Sequence, residues 1–217
     1  SGWTSFDIVA KIKSMLNKSG KKVKIGHAGT LDPLAEGVLI VLTGNDTKKQ
    51  NKIMEMNKEY ICEISFGATS PTYDLEKELT YIKIPKNLDI EKKLDILLQK
   101  YCGEIEQKVP LYSAVKQSGT PLYKKARKNN TDNIILPSKK INIYEIEKLG
   151  FYEKNKLPTI KLRVLCSKGT YIRSLANDLG IDLGIGGVLV SLTRSMVGEY
   201  KVEDSIKIGQ IIPEQII

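Results

Sequence analysis

The sequence predicts an α+β fold with a mixed sheet. Three observations predict it. Apolar residues recur at helical spacing in separate stretches, they alternate with period two in others, and the two kinds follow one another irregularly, with neighbouring strands and no internal repeat.

Taken in order, Thr4 with Asp7 forms a capping-box signal, and Ile8, Val9, Ile12, Met15 and Leu16 carry one helical face up to Gly20. Residues 38–42, VLIVL, lie between Gly37 and Gly44, and a short continuous apolar run suits a strand buried on both faces. Tyr60, Cys62, Ile64 and Phe66 alternate with Ile61, Glu63 and Ser65, a half-buried strand whose apolar face includes Tyr60. A helix from about Asp89 to Tyr101 carries Ile90, Leu94, Leu97 and Leu98 and stops at Gly103. From Val109 to Pro137 the pattern turns irregular and basic, with a short helix-like PLYKKARK. Strands follow at 141–146 and 159–166, the second alternating Ile160, Leu162, Val164 and Cys166. The last helix is capped by Thr170, closed by Gly180, and packs through Ile172, Leu175, Ala176 and Leu179. One domain spanning 1–217 accommodates all of these.

Hydrophobic residues make up 41% of the 217 and no apolar run approaches a membrane-spanning length. Thirty-four Lys and Arg against 25 Asp and Glu give a net charge of +9, and the lysines cluster in SGKKVK, YKKARK and PSKK. Clustered excess charge points to a polyanionic partner, with nucleic acid first, and makes the segment at about 108–138 a mobile, RNA-facing insertion. Cys62, Cys102 and Cys166 are odd in number and far apart, and there is one His, so neither a disulfide framework nor a zinc site is indicated. A reduced, cytoplasmic compartment fits, and Ser1-Gly2-Trp3 starts no secretory signal; an organellar location is compatible if a targeting segment was removed. The GIDLGIGG stretch lacks the spacing of a phosphate loop or a dinucleotide fingerprint, so no nucleotide cofactor is expected.

The stretch KIGHAGTLDPLAEGVLIV concentrates backbone freedom around one carboxylate, Asp32. An Asp-Pro step is most often only a turn. Gly26, Gly29 and Gly37 instead suggest a tightly folded loop whose backbone approaches a ligand or takes positive φ, which is how a functional carboxylate is held. Such a group needs a cation or hydrogen-bond donors to stay charged. Arg173, early in the last helix, is a candidate cation, although periodicity alone favours a surface residue on the polar face. His27 has no nucleophile beside it and is read as a binding residue.

At this point GHAGTLDPLAEGVL (26–39) resembles the catalytic motif of the tRNA pseudouridine synthase B family. KEYICEISFGATSPTYD (58–74), VPLYSAVKQSGTPLYKKARK (109–128), CSKGTYIRSLANDLG (166–180) and LTRSMVG (192–198) resemble its further motifs in the same order. The resemblance implies a pseudouridine synthase-like fold and isomerisation of uridine to pseudouridine at position 55 in the T loop of tRNA, without metal or organic cofactor. It implies that Asp32 is the nucleophilic carboxylate, Tyr60 the aromatic that stacks on the flipped base, and Arg173 the ion-pair partner of Asp32. By the same resemblance Leu192 packs under the substrate pocket, His27 fills the gap left by the flipped nucleotide, and Gly29, Leu31 and Tyr171 contact substrate. Lys24, Lys116, Lys124, Lys125 and Arg127 then lie on phosphates. The expected partner is the T stem-loop of tRNA, the expected state a monomer. Whether Asp32 attacks C1′, attacks uracil C6 or assists loss of a C2′ proton is left open by the residues.

The chain departs from the family pattern at Val109, Lys77, Asn129 and Glu36, and ends where a C-terminal PUA domain often follows. Two other readings are a guide-RNA-dependent pseudouridine synthase subunit and a non-catalytic RNA-binding or tRNA-folding module. The lack of a PUA domain argues against the first, and the presence of Asp32, Tyr60 and Arg173 against the second.

Overall fold

A computed structural model describes residues 2–127, 134–212 and 216. In chain order the elements are α1 (Ser5–Lys18), β1 (Ile25–His27), β2 (Glu36–Gly37), β3 (Val41–Thr43), α2 (Gln50–Glu55), β4 (Lys58–Phe66), β5 (Ala68–Thr69), β6 (Thr80–Tyr81), α3 (Ile90–Lys100) and β7 (Gly103–Lys108). There follow β8 (Lys116–Gln117), β9 (Thr120–Pro121), α4 (Leu122–Arg127), β10 (Ser138–Lys154), β11 (Leu157–Cys166), α5 (Ile172–Leu183), β12 (Gly187–Val197) and β13 (Tyr200–Lys201). The main sheet runs β13-β12-β4-β11-β10-β7, with β2 parallel to β12. This is the expected α+β architecture with a mixed sheet. By compactness the chain divides into Ser1–Ile61 with Leu192–Ile217, and Cys62–Ser191.

In the first unit, the capping box of α1 is complete: Asp7 N donates to Thr4 Oγ1, and the Thr4 N–H donates to the Asp7 carboxylate. Val9, Ile12 and Leu16 are its buried face. β1 and β3 pair antiparallel, and Ala28, Val38, Leu42, Ile53 and Val197 form the core around them. The doubly buried strand expected at 38–42 is not found. Only Val41–Thr43 is strand, and Leu39, Ile40 and Val41 are half-buried because they line a groove with Trp3, Ile8 and Ile206.

In the second unit, β11 buries Ile160, Leu162, Val164 and Cys166 fully, as its alternation predicts, and β10 runs antiparallel beside it for most of its length. In β4, Cys62, Ile64 and Phe66 are buried as expected, and so is Ser65, whose hydroxyl bonds Thr159 Oγ1 at 2.8 Å. α3 begins on Asp89, which accepts from Lys92 N, and ends at Tyr101; Gly103, the predicted stop, is already the first residue of β7. β7 was not predicted, since GEIEQK has no apolar alternation; its register with β10 runs from Lys108↔Ser138 to Gly103↔Ile143.

The final helix differs from expectation at both ends. Its N-cap is Tyr171, because Thr170 Oγ1 donates instead to Ser167 O while the side chain of Gln107 accepts from Tyr171 N. It continues through Gly180 to Gly184, which takes the left-handed conformation. Gly180 serves packing: a Cβ there would lie 2.0 Å from Gly187 N, so the glycine lets the helix sit against the start of β12. Ile172, Leu175, Ala176 and Leu179 are buried as predicted. Among the described residues no helix is long and apolar enough to cross a membrane.

Candidate active site

Asp32 heads a tight turn in the first unit, with Ala35 N donating to Asp32 O at 2.9 Å across Pro33 and Leu34. The turn belongs to a loop tied to the rest of its unit at many points. Leu31 N donates to Ser5 Oγ at 2.8 Å and Gly2 N to Pro33 O at 3.0 Å. From β12, Arg194 donates to Gly29 O (3.1 Å), Thr30 O (3.3 Å) and Val38 O (2.8 Å), and its own carbonyl accepts from Val38 N at 2.9 Å. Asp32 is thus presented from a braced turn, half-buried, rather than from a free loop.

Two of the three glycines singled out around Asp32 take positive φ, Gly29 at 107° and Gly37 at 103°; Gly26 does not. The close approach at Gly37 is to the protein itself. A Cβ at that position would stand 2.2 Å from Arg194 O, so its glycine permits the pairing of residues 36–38 with β12.

His27, on β1, is half-buried, and its Nδ1 has no hydrogen-bond partner among the described residues. Burial, and then the nearby Arg194 charge, holds its pKa below the ordinary imidazole value. Lys24 is exposed and Leu31 half-buried. Tyr60 and Leu192 are half-buried on β4 and β12, where Glu59 accepts from Ser195 Oγ at 2.7 Å beside them.

The second unit holds Arg173, and the surface alternative for it is excluded: the residue is 4% exposed. Its Nε lies 3.5 Å from Asp74 Oδ2, while Nη1 donates to Thr72 O (2.9 Å) and Nη2 to Tyr112 O (3.2 Å). Asp74 is itself buried, accepting from Thr72 Oγ1 at 2.6 Å and Glu76 N at 2.9 Å. A guanidinium gripped on several of its donors has one orientation.

Gln107, 2% exposed, holds the start of this helix by donating to Tyr171 O and accepting from Tyr171 N. Ser174 adds a bond to Lys108 O. Asp74, Gln107 and Arg194 were not singled out by sequence reasoning. The only signal was their presence within or beside the quoted motifs.

The insertion joins β7 to β10. It opens with a two-residue hairpin, β8 to β9, turning at Ser118 and Gly119, both at positive φ, and continues into α4. Leu122 and Ala126 are buried, so α4 is anchored. Lys116, Lys124 and Arg127 are exposed, whereas Lys125 is half-buried and donates to Gln117 Oε1 at 3.0 Å. Arg127 stacks over the Tyr123 ring at 5.6 Å. Lys128 and Asn129 lie outside the described residues. Among the described residues, no group of three His, Cys, Asp or Glu side chains is placed to hold a metal ion.

Residues 13–172 match the TruB family pseudouridylate synthase (N terminal domain). The tRNA pseudouridine synthase B of Phocaeicola vulgatus is 45% identical over 210 residues, covering 95% of this chain and 86% of that protein. The protein of the same name from Clostridium kluyveri is 40% identical over 218 residues, covering all of this chain and 71% of that one. Among solved structures, a chain of a Cbf5-Nop10-Gar1 complex superposes with a TM-score of 0.65 at 30% identity over 92% of this chain. This chain spans 47% of that one, about half its length. On the match of its sequence and of its fold, the chain belongs to the TruB family of pseudouridylate synthases.

Proposed function

We propose that this chain isomerises uridine to pseudouridine at position 55 in the T loop of tRNA, with Asp32 as nucleophile, Arg173 as its ion-pair partner and Tyr60 stacked on the base. The observation that carries the reading is the braced turn bearing Asp32, in a chain 45% identical to a protein named tRNA pseudouridine synthase B. Catalysis by a carboxylate depends on holding it in one place against the reacting carbon, and a misplacement of about 1 Å costs about 100-fold. The buried guanidinium of Arg173, aligned by Asp74, supplies a fixed positive charge of the kind that keeps a carboxylate ionised.

In the reaction the N1–C1′ bond breaks, the uracil turns over and C5 bonds to C1′; C5 gives up a proton and N1 gains one, so the product is an isomer of the substrate. Addition of Asp32 at C1′, its addition at C6 and its help in removing a C2′ proton all require the same oxygen pair on the same turn. The target nucleotide must leave its loop to reach it, which costs a few kcal/mol, and stacking on Tyr60 returns about 1–3 kcal/mol of that. His27 fills the vacated position, Gly29, Leu31, Tyr171 and Leu192 shape the pocket, and Lys24, Lys116, Lys124, Lys125 and Arg127 meet phosphates. The enzyme acts as a monomer in the cytoplasm, where its substrate is.

The test is mass-spectrometric mapping of pseudouridine in a T-arm transcript incubated with this chain and no guide RNA. Conversion at position 55 by the wild type is expected, with none by Asp32→Asn and RNA affinity within about threefold, since the substitution removes the charge and little shape. Conversion by Asp32→Asn, or none by the wild type, overturns the reading.

A further inference from the structure

Arg194 is the bulkiest of the fully buried side chains, 2% exposed, and the structure pairs its guanidinium with main-chain carbonyls. A buried cation is expensive unless paired with an anion, and an apolar side chain of similar volume would fill the same space at lower cost. The carbonyls that it holds have a pattern. Gly29 and Thr30 precede Asp32 by three and two residues, and Val38 follows it by six. The single guanidinium therefore closes both ends of the segment that carries the nucleophile. Between those ends Ser5 holds Leu31 from α1, through its N–H (2.8 Å) and its carbonyl (3.3 Å).

We infer that Arg194 is a positioning residue for the pseudouridylation reaction: by gripping the carbonyls of Gly29, Thr30 and Val38 it fixes the backbone from which Asp32 is presented. This rests on the functional reading above. The planar fork suits the task, because Nε, Nη1 and Nη2 each reach a different carbonyl. A lysine ammonium is a shorter-reaching point charge and cannot span the same three oxygens. Its charge also bears on the neighbouring ring of His27, which it helps to keep neutral. The segment is also held by Ser5, by Gly2 N on Pro33 O and by Val38 N on Arg194 O, so loosening the guanidinium grip relaxes the turn without unravelling β1 or β12.

The test compares Arg194→Lys with the wild type in single-turnover conversion of a T-arm transcript at saturating enzyme, beside RNA affinity and thermal unfolding. The expected result is a rate lower by about 100-fold, the scale of a 1 Å misplacement, with the dissociation constant for RNA within about threefold. A purely structural role would instead lower the melting temperature and leave the rate per folded molecule unchanged, which overturns the inference. Should Arg194→Lys not fold, Ser5→Ala loosens the same turn from α1 and leaves the buried cation in place. It is expected to slow the chemical step by about tenfold or more without loss of RNA affinity; an unchanged rate overturns the inference. A wild type that forms no pseudouridine removes the functional reading and this inference with it, whereas an active wild type beside an equally active variant removes the inference alone.

Discussion

Asp74→Asn tests whether the buried acid that faces Arg173 is what orients that arginine. The side chains are 4% and 7% exposed, and Asp74 Oδ2 stands 3.5 Å from Arg173 Nε. Asparagine retains one oxygen for Thr72 Oγ1 and Glu76 N, so the local turn keeps its acceptor. What changes is that an amide N–H now faces a guanidinium N–H. Breaking a buried pair by removing one partner costs about 3–5 kcal/mol where the remaining charge loses its compensation. Arg173 keeps its bonds to Thr72 O and Tyr112 O, which places the expected loss at the lower end, about 3 kcal/mol. For a chain of this length that is a fall in melting temperature of about 6–12 °C. Urea unfolding gives the free energy directly. The same substitution in an Arg173→Met background should cost less than about 1 kcal/mol, since no buried cation remains to be stranded. A loss below about 0.5 kcal/mol in the wild-type background, or an equal loss in both, refutes the pairing as the source of order at Arg173.

Two further outcomes follow from the site. Because His27 has a lowered pKa in the fold, the unfolded chain binds a proton below about pH 6.5 that the folded chain does not, so its contribution makes stability fall as pH drops through that window. Urea unfolding near pH 7 and near pH 5.5 should show a smaller loss for His27→Gln than for the wild type, and equal losses would refute the assignment. The triple variant Lys124→Ala, Lys125→Ala, Arg127→Ala should weaken RNA binding whatever the sequence and flatten its dependence on salt, read from affinities across a salt series. Lys125 is already engaged with Gln117, so the change in slope should be nearer two than three counterions, and an unchanged slope would refute a phosphate-facing α4.

What could be read from the sequence was local. The capping box at Thr4 and Asp7 and the period-two burial of Ile160, Leu162, Val164 and Cys166 need only neighbours along the chain, and both are present as expected. The Asp32 turn was legible for the same reason. The errors arose where a distant partner won. Thr170 has the chemistry of a cap, yet Gln107, 64 residues away, takes the Tyr171 N–H. VLIVL has the composition of a core strand, yet its middle lines a groove in the first unit. Gly180 has the look of a helix stop, yet it is kept small by β12.

The same distinction separates the candidate nucleophile from what holds it. A carboxylate before proline can be noticed in one dimension; its support cannot, because Arg194 lies more than 150 residues from the carbonyls that it binds. An arginine in LTRSMVG carries no local signal of burial, because the carbonyls that it holds come from a distant loop. Asp74 and Arg173 repeat the case, two charges a hundred residues apart that are costly to bury singly and tolerable only together. In both units, then, a buried arginine donates to main-chain oxygens of the segments bearing the quoted motifs. Carbonyl oxygens are present whatever the side chain, so such an arginine ties its partners' backbone and leaves their side chains free for chemistry. Gly37 adds to the same support: its missing Cβ lets the backbone pair with β12 at Arg194, whose guanidinium holds Val38 O, and on the inference above the carboxylate takes its position from that grip.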